Sequence, residues 1–190
     1  MTCKLENDNN GRCRKIDKKY DNPIDNLLIY FTNKLNPTYC KLNLTPNHLT
    51  TLSLVLTLLS YYLFLQKNKY LAGIVFFIGY FFDCADGCYA RRYKLITKFG
   101  DYYDHFSDIS KIIILFIMLY KYSISINKFY VFERFFIVNI ILFLFLSVQF
   151  GCQEKIYNKS AHSPTLARLK KLCPNENMIK VTRYFGSGTY

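Results

Sequence analysis

Long uncharged stretches dominate the hydropathy pattern of this chain. No Lys, Arg, Asp or Glu occurs in residues 42–66, and a second uncharged stretch covers residues 135–153. A helix needs about 20 such residues to cross the hydrocarbon core of a bilayer. Two further apolar segments, residues 70–82 and 112–120, have acidic residues near one end. The pattern predicts four membrane-spanning helices, near residues 47–66, 69–91, 101–121 and 133–153.

A shorter helix is predicted before the first of these segments. Its apolar residues recur at helical spacing, at Ile24, Leu27, Leu28, Phe31 and Leu35. Pro23 suits the first turn of such a helix. We interpret it as an amphipathic helix that lies on the membrane surface. The expected fold is therefore all-α, a polytopic membrane helical bundle with about four transmembrane helices and an N-terminal amphipathic interfacial helix.

The polar segments at both ends of the chain define the boundaries of the expected membrane domain. Residues 1–20 are basic and contain no apolar run, which excludes a signal peptide and predicts a disordered cytoplasmic arm. Residues 21–153 are the expected membrane domain. Residues 154–190 are the expected basic cytoplasmic tail.

Composition and charge narrow the function classes. The 190 residues are 51% hydrophobic and carry a formal net charge of +12, which excludes an ordinary acidic cytosolic enzyme. Nucleic-acid-binding proteins and membrane proteins with basic loops remain. Because the basic residues are divided among the flanks of the apolar segments instead of forming one stripe, we expect no nucleic-acid partner.

The basic residues also predict an orientation. The arm, the tail and the link at residues 91–100 carry most of the 25 lysines and arginines. The positive-inside rule therefore predicts that both termini and this link face the cytoplasm. Thiols stay reduced in that compartment, so we expect the seven cysteines to serve mainly as small packing residues.

Four aspartates lie near the cytoplasmic ends of the second and third expected spans. Asp83 and Asp86 are three residues apart and Asp104 and Asp108 four apart, so each pair shares one helical face. The short link between the helices lets the four carboxylates converge. Their mutual repulsion is relieved by divalent cations, and paired metals are used in phosphoryl transfer. We expect a cytoplasm-facing site for two divalent ions, Mg²⁺ or Mn²⁺.

Simpler interpretations of this segment stay open. The aspartates can instead form interfacial ion pairs with the basic residues of the following link. Gly79, Gly87 and Ala90 lie beside the first aspartate pair. These small residues either make room for a flat ligand or allow close helix–helix contact.

The segment from residue 83 to residue 108 resembles the signature of a known family. The order is Asp83, two residues, Asp86, Gly87, two residues, Ala90, Arg91, eight residues, Gly100, three residues, Asp104, three residues, Asp108. This order is similar to that of the CDP-alcohol phosphotransferases, also called CDP-alcohol phosphatidyltransferases. The resemblance implies an integral membrane transferase of phospholipid biosynthesis. Such an enzyme moves a phosphatidyl or phospho-amino-alcohol group from a CDP-linked donor to an alcohol or lipid acceptor and releases CMP.

The resemblance also implies a role for each matched residue. The implied metal ligands are Asp83, Asp86, Asp104 and Asp108. Asp108 is also the implied general base on the attacking hydroxyl. Gly87 and Ala90 would leave room for the cytidine, Arg91 would bind the donor phosphates, and Gly100 would permit the turn into the third helix. The segment at residues 45–50 is similar to the family's first-helix start, which adds Asn47, Pro46 and Thr50 as secondary candidates.

The chain departs from the family in length. Family members usually have six membrane helices, and a fifth would follow in the tail of a longer relative. One alternative is therefore a truncated, non-catalytic membrane protein that binds metal or nucleotide. Another is an intramembrane prenyltransferase, which also binds Mg²⁺ through Asp-rich segments. The acceptor stays open. It is diacylglycerol if the donor is CDP-choline or CDP-ethanolamine, and inositol, serine or glycerol phosphate if the donor is CDP-diacylglycerol. The resemblance also implies a homodimer.

Overall fold

The computed structural model describes residues 13–14, 16–157 and 166–185. These residues form helices and turns, with no strand among them. The long helices are α1 (Pro23–Lys41), α2 (Pro46–Leu65), α3 (Lys69–Arg92), α4 (Lys98–Ser125) and α5 (Phe129–Tyr157). A short helix, α6 (Ile179–Thr182), and several 3₁₀ turns complete the described part of the chain. The predicted all-α fold class is confirmed.

Polar caps explain where several helices begin. The Asn22 side chain accepts a hydrogen bond from the Ile24 backbone N–H at the start of α1. Thr45 and His48 form a reciprocal capping box at the start of α2. Thr97 accepts from the Gly100 backbone N–H at the start of α4. Each cap satisfies an N–H group that has no partner within the helix.

The first four long helices also end in the same way. Asn43, Lys67, Lys94 and Asn127 follow the helix ends with positive φ angles between 52° and 65°. The next residue's backbone N–H returns to a carbonyl of the last turn in each case, as in Leu95 to Ala90 at 2.8 Å. This is the Schellman arrangement, which reverses the chain within a few residues. The short links therefore reverse the chain between helices, and α2 packs along α3, α1 against α3, and α4 against α2 and α5.

Contacts at both ends of the bundle show that α2, α3 and α4 alternate in direction. At one end, Thr50 of α2 bonds to Asp86 of α3. At the other, Tyr122 of α4 meets the Phe64 ring of α2 at 5.1 Å and the Lys69 ammonium of α3 at 5.8 Å. Helix α4 therefore extends from one end of the bundle to the other, alongside α2.

Three helices, α2, α3 and α5, are long and apolar enough to cross a membrane. Helix α4 is as long, but its first half contains Asp101, Asp104, Asp108 and Lys111. The crossing predicted for α4 stays a prediction, and its full extension beside α2 supports it. Large apolar side chains cover the outer faces of the helices, as expected of surfaces that contact lipid.

Helix α1 has its apolar residues on the outside. Ile24, Leu27, Phe31 and Leu35 are exposed, whereas Leu28 is buried. The buried face of α1 also carries polar residues, and it packs against α3. An exposed apolar face on a helix beside a membrane bundle supports the predicted interfacial position.

The prediction of reduced cysteines was wrong for five described cysteines, which are disulfide-bonded: Cys13, Cys40, Cys88, Cys152 and Cys173. Cys13 is disulfide-bonded to Cys88, with Cα atoms 4.4 Å apart, and Cys152 to Cys173, with Cα atoms 4.9 Å apart. Among the described cysteines only Cys84 is free. Tertiary contacts bring the arm to α3 and the tail to α5, and those contacts place the sulfur atoms within bonding range.

The described parts of the arm and tail pack against the bundle and each other. Ile16 is buried in a cluster with Cys152, Cys173 and Ile179. The Asn22 side-chain amide donates to the Arg183 carbonyl at 3.0 Å. Residues 1–12, 15, 158–165 and 186–190 lie outside the described part of the chain. The predicted disorder of the arm therefore falls mainly outside the described residues.

Asp21 adds a buried charge to the junction between arm and α1. Burial raises the pKa of its carboxyl above the ordinary value, and the neighbouring Asp25 raises it further. Arg14, 3.5 Å from the Asp21 carboxylate, and Arg91 act in the opposite direction. The arm thus brings cationic and anionic groups to the end of the bundle where Arg91 lies.

Two glycines of α3 test the helix contact directly. A Cβ at Gly79 would lie 3.2 Å from Thr57 Oγ1 and 3.3 Å from the Ser53 carbonyl oxygen, both on α2, whereas nothing lies within 4 Å of a Cβ at Gly73. We expect Gly79→Ala to lower the free energy of unfolding by about 1–2 kcal/mol through overpacking. Gly73→Ala should raise it by about 0.5–1 kcal/mol through helix propensity. Denaturant titration in detergent measures both, and equal effects would contradict the close contact.

Candidate metal and nucleotide site

Three aspartates converge where α3 ends and α4 begins. Asp83 comes from α3, and Asp104 and Asp108 come from α4. One carboxylate oxygen from each lies within 4.8 Å of the other two, and all three residues are partly buried. Carboxylate oxygens in such a group are the ligands that Mg²⁺ and Mn²⁺ prefer. The donor set therefore fits a divalent cation.

Asp86, the fourth predicted ligand, has different partners. Its carboxylate is buried, with only 5% of the residue exposed. Thr50 Oγ1 donates to Oδ2 at 2.5 Å, and the Gly87 backbone N–H donates to Oδ1. The structure does not include Asp86 in the group of three. Its role as a metal ligand stays a prediction, and Thr50 acts as its orienting partner.

Lys111 and Ser53 contact the converging carboxylates. The Lys111 ammonium donates to Asp83 and, at 3.1 Å, to Asp108. Ser53 Oγ donates to Asp83 Oδ1 at 3.1 Å. The positive charge of Lys111 offsets part of the repulsion between the carboxylates. Lys111 is therefore paired with both Asp83 and Asp108.

The ion-pairing alternative had named the basic residues of the link. Arg92 instead donates to the backbone carbonyl and side-chain oxygen of Asn33, at 3.0 and 3.1 Å. His105 also turns to the backbone, with Nδ1 2.8 Å from the Asp101 carbonyl oxygen and 4.0 Å from Asp104. Lys111 is therefore the basic residue that pairs with two of the three carboxylates, those of Asp83 and Asp108.

Asn47 and Gly100 lie close to each other where α2 and α4 begin. A Cβ at Gly100 would lie 3.2 Å from Asn47 Oδ1 and 3.0 Å from Thr97 Oγ1. Glycine therefore allows the start of α2 to approach the first turn of α4 closely. The sequence proposed both residues for the same site, and the structure brings them together.

Gly87, Ala90 and Arg91 occupy one stretch of α3 beside Asp86. The nearest heavy atoms to a Cβ at Gly87 belong to the Arg91 guanidinium, with Nη1 at 3.1 Å and Nη2 at 3.3 Å. Ala90 is partly buried one turn beyond Asp86. Arg91 Nε donates to the Cys13 carbonyl at 2.8 Å. The guanidinium thus lies over the glycine that is predicted to face the cytidine.

Sequence reasoning missed Ser53 as the partner of Asp83. A signal for it was present, because small hydroxyl residues recur along one face of α2. The face consists of Thr50, Ser53, Thr57 and Ser60, all of which are buried. A buried hydroxyl stripe on an otherwise apolar span indicates polar partners on the neighbouring helix.

Comparison with known proteins identifies the family. The family model described as CDP-alcohol phosphatidyltransferase matches residues 43–167. The chain belongs to the CDP-alcohol phosphatidyltransferase family. The matched segment contains every aspartate of the site, and together with the three apolar helices it makes this family member an integral membrane protein.

A curated relative adds one more finding. The chain is 36% identical over 90 residues to archaetidylinositol phosphate synthase of Pyrococcus horikoshii. The aligned segment covers 47% of this chain and 44% of that relative. The match thus spans less than half the length of the relative. No solved structure matches the chain. Membership of the CDP-alcohol phosphatidyltransferase family favours that chemistry over the prenyltransferase alternative.

Metal binding tests the group of three carboxylates. We expect Asp104→Asn to weaken Mn²⁺ binding by about tenfold or more, because one anionic ligand is lost. Asp101→Asn makes the same charge change on the same helix outside the group, and it should leave Mn²⁺ affinity within about twofold. The measurement is Mn²⁺ titration of the detergent-solubilised protein followed by electron paramagnetic resonance. Equal affinities for the two variants would contradict the assignment.

Proposed function

We propose that this protein transfers a substituted phosphate from a CDP-linked donor to the hydroxyl of an alcohol and releases CMP. The observation that carries the proposal is the convergence of Asp83, Asp104 and Asp108 within the segment matched by the family. Divalent ions bound there would neutralise the donor's diphosphate and polarise the phosphorus.

The chain's own residues supply the remaining chemistry. Asp108 would accept the proton of the acceptor hydroxyl as its oxygen bonds to the phosphorus. The bond from that phosphorus to the CMP oxygen then breaks, and CMP leaves with the electron pair. Ser53 and Thr50 would keep Asp83 and Asp86 in orientation through the observed hydrogen bonds.

Arg91, Gly87 and Ala90 are the proposed donor-binding residues. A guanidinium suits phosphate because it offers paired N–H donors in a plane. The position of the Arg91 fork over Gly87 supports this role. Gly100 and Asn47 would close the opposite side of the site, where they already meet.

The acceptor class follows from the relative's name alone. That protein is named as a synthase of an inositol phosphate lipid, so we propose a phosphorylated polyol acceptor and a CDP-linked lipid donor for this chain. The competing donor–acceptor pair is a CDP-linked amino alcohol as the donor and a lipid as the acceptor. We also propose Mg²⁺ or Mn²⁺ as the ions, a homodimer as the assembly, and no role for nucleic acid.

CMP release tests the reaction class. The purified protein in detergent, with Mg²⁺ or Mn²⁺, should release CMP only when both a CDP-linked donor and the correct alcohol are present. Asp108→Asn should lower the rate by about a hundredfold or more, since a general base contributes 10²–10⁴-fold. Asp101→Asn is the matched control and should keep most of the activity.

The alcohol panel decides the acceptor. It includes inositol phosphate, glycerol phosphate, inositol, serine and diacylglycerol, each with CDP-diacylglycerol, CDP-choline or CDP-ethanolamine. Folded protein that binds Mn²⁺ but releases no CMP with any pair would overturn the proposed transferase activity and favour the non-catalytic alternative.

We further propose that the site and both termini face the cytoplasm. The described parts of the basic arm and of the basic tail, and the 91–100 link, lie at the site's end of the bundle, which supports this orientation under the positive-inside rule. An epitope tag in the link at residues 126–128 should be accessible from outside intact cells. A tag at the N-terminus should become accessible only after permeabilisation, and the reverse pattern would contradict the orientation.

A further inference from the structure

We propose that Lys111 is a built-in counter-ion of the metal site, and that a divalent ion binds between Asp83 and Asp108 by displacing the Lys111 ammonium. Metal affinity then depends on what the displaced ammonium can contact, and a donor diphosphate is the partner that suits it. The inference rests on the proposed function, because it assigns the carboxylates to divalent ions and the site to a CDP-linked donor.

The ammonium joins two carboxylates that come from different helices. Lys111 Nζ donates to Oδ1 of Asp83 on α3 and, at 3.1 Å, to Oδ1 of Asp108 on α4. The same Asp83 oxygen accepts a hydrogen bond from Ser53 Oγ at 3.1 Å. The ion-pair contact of Asp104 is with His105 instead, at 4.0 Å. A positive charge that bridges two carboxylate oxygens takes the place that a bridging metal ion would occupy.

An ammonium and a metal ion cannot hold these two oxygens at the same time. Mg²⁺ binds oxygen ligands at about 2.0–2.1 Å, whereas an ammonium donates to carboxylate oxygens at about 2.7–2.9 Å. Two positive charges this close together also repel each other strongly in a partly buried site. A metal ion that enters between Asp83 and Asp108 therefore requires Lys111 to leave.

The Lys111 side chain can leave without a movement of α4. The Lys111 side chain is 13% exposed and that of Asp108 is 46% exposed, so the ion pair is accessible from the surface. The Tyr61 hydroxyl donates to the Lys111 backbone carbonyl at 3.1 Å, which ties this point of α4 to α2. The long stem of a lysine is flexible. The ammonium can therefore swing away while the backbone stays in place.

The charges of the group explain both the pairing and the exchange. The three clustered carboxylates carry up to three negative charges, and one ammonium neutralises one of them. A divalent ion neutralises two. Displacement of Lys111 nevertheless breaks its bonds to both carboxylates, and a partly buried ammonium without a partner is unfavourable. Lys111 therefore stabilises the group before metal binds, and it weakens metal binding in the absence of substrate.

The donor diphosphate supplies the partner that the displaced ammonium needs. A lysine ammonium binds phosphate oxygens as a point charge. The metal ions would neutralise the same diphosphate from the side of the carboxylates. Metal and donor therefore favour each other's binding, and by thermodynamic linkage each raises the affinity for the other by the same factor.

Lys111→Gln in the full chain is the primary test. The substitution removes the charge and keeps a polar side chain. Detergent-solubilised protein is stripped of metal with a chelator and titrated with Mn²⁺, followed by electron paramagnetic resonance. We expect Lys111→Gln to bind Mn²⁺ about tenfold more tightly than wild type, because no ammonium has to be displaced. Lys121→Gln makes the same change about 15 Å further along α4 and should leave the affinity within about twofold.

Lys111→Arg separates the charge from the rest of the side chain. Because the guanidinium keeps the positive charge, this variant should bind Mn²⁺ within about threefold of the wild-type affinity. Mn²⁺ should also raise the unfolding temperature of Lys111→Gln more than that of wild type, since tighter binding stabilises the folded state further. Folded Lys111→Gln that binds Mn²⁺ no more tightly than wild type would overturn the inference and make Lys111 a structural partner.

Displacement can also be measured in the wild-type protein. Acetic anhydride acylates accessible lysine amines, and mass spectrometry of the peptides measures the extent at each lysine. Acylation of Lys111 should rise about threefold or more when Mn²⁺ is bound, because the amine leaves the carboxylates. Acylation of Lys121 should stay the same. Unchanged acylation of Lys111 in protein that has bound Mn²⁺ would overturn the inference.

CDP distinguishes the failure of this inference from the failure of the proposed function. CDP should tighten Mn²⁺ binding about tenfold in wild type and less than about threefold in Lys111→Gln. Equal Mn²⁺ affinities and equal CDP effects in the two proteins, with CMP still released, would overturn this inference alone. The expected Mn²⁺ exchange without CMP release from any donor would overturn the proposed function alone. Absence of Mn²⁺ binding in both proteins would overturn both.

Discussion

The gathering of carboxylates at one end of an apolar helical bundle is the constraint on which the rest of the structure depends. Asp83, Asp104 and Asp108 are partly buried, and their carboxylates repel one another at close range. Lys111 offsets part of that repulsion, and Ser53 supplies a hydrogen bond. Such a cluster is costly to keep unless it binds a ligand of opposite charge. Its presence therefore supports cation binding more strongly than it supports a purely structural role.

The neighbouring elements hold the helices at the distance that this cluster needs. The hydroxyl stripe of α2 bonds to α3, and Gly79 lets the two helices approach. The Schellman turn after α3 places the start of α4 beside its end. The arm and tail add two disulfides at the same end of the bundle. The end of the bundle that carries the site is therefore also attached to the described parts of the arm and the tail.

The helices and the acidic group were predictable because both have a local signal. Uncharged stretches define the spans, and the 83–108 spacing places carboxylates on facing helix ends. The disulfides were not predictable, since Cys13 and Cys88 meet only after the arm folds back over 75 residues. The bond from Asp86 to Thr50 likewise depends on the rotation of α2 against α3, which the spacing of residues along one helix does not determine. Contacts between residues far apart in the sequence are thus the part of the structure that the sequence did not predict.

The most direct test of the central claim is the position of the cation. Crystals grown with Mn²⁺ and CDP can be measured by anomalous diffraction at the manganese edge. The account predicts anomalous peaks in contact with the carboxylates of Asp83, Asp104 and Asp108, with the Lys111 ammonium displaced from them. No peak at these carboxylates, with Lys111 still bonded to Asp83 and Asp108 and CDP bound, would contradict it.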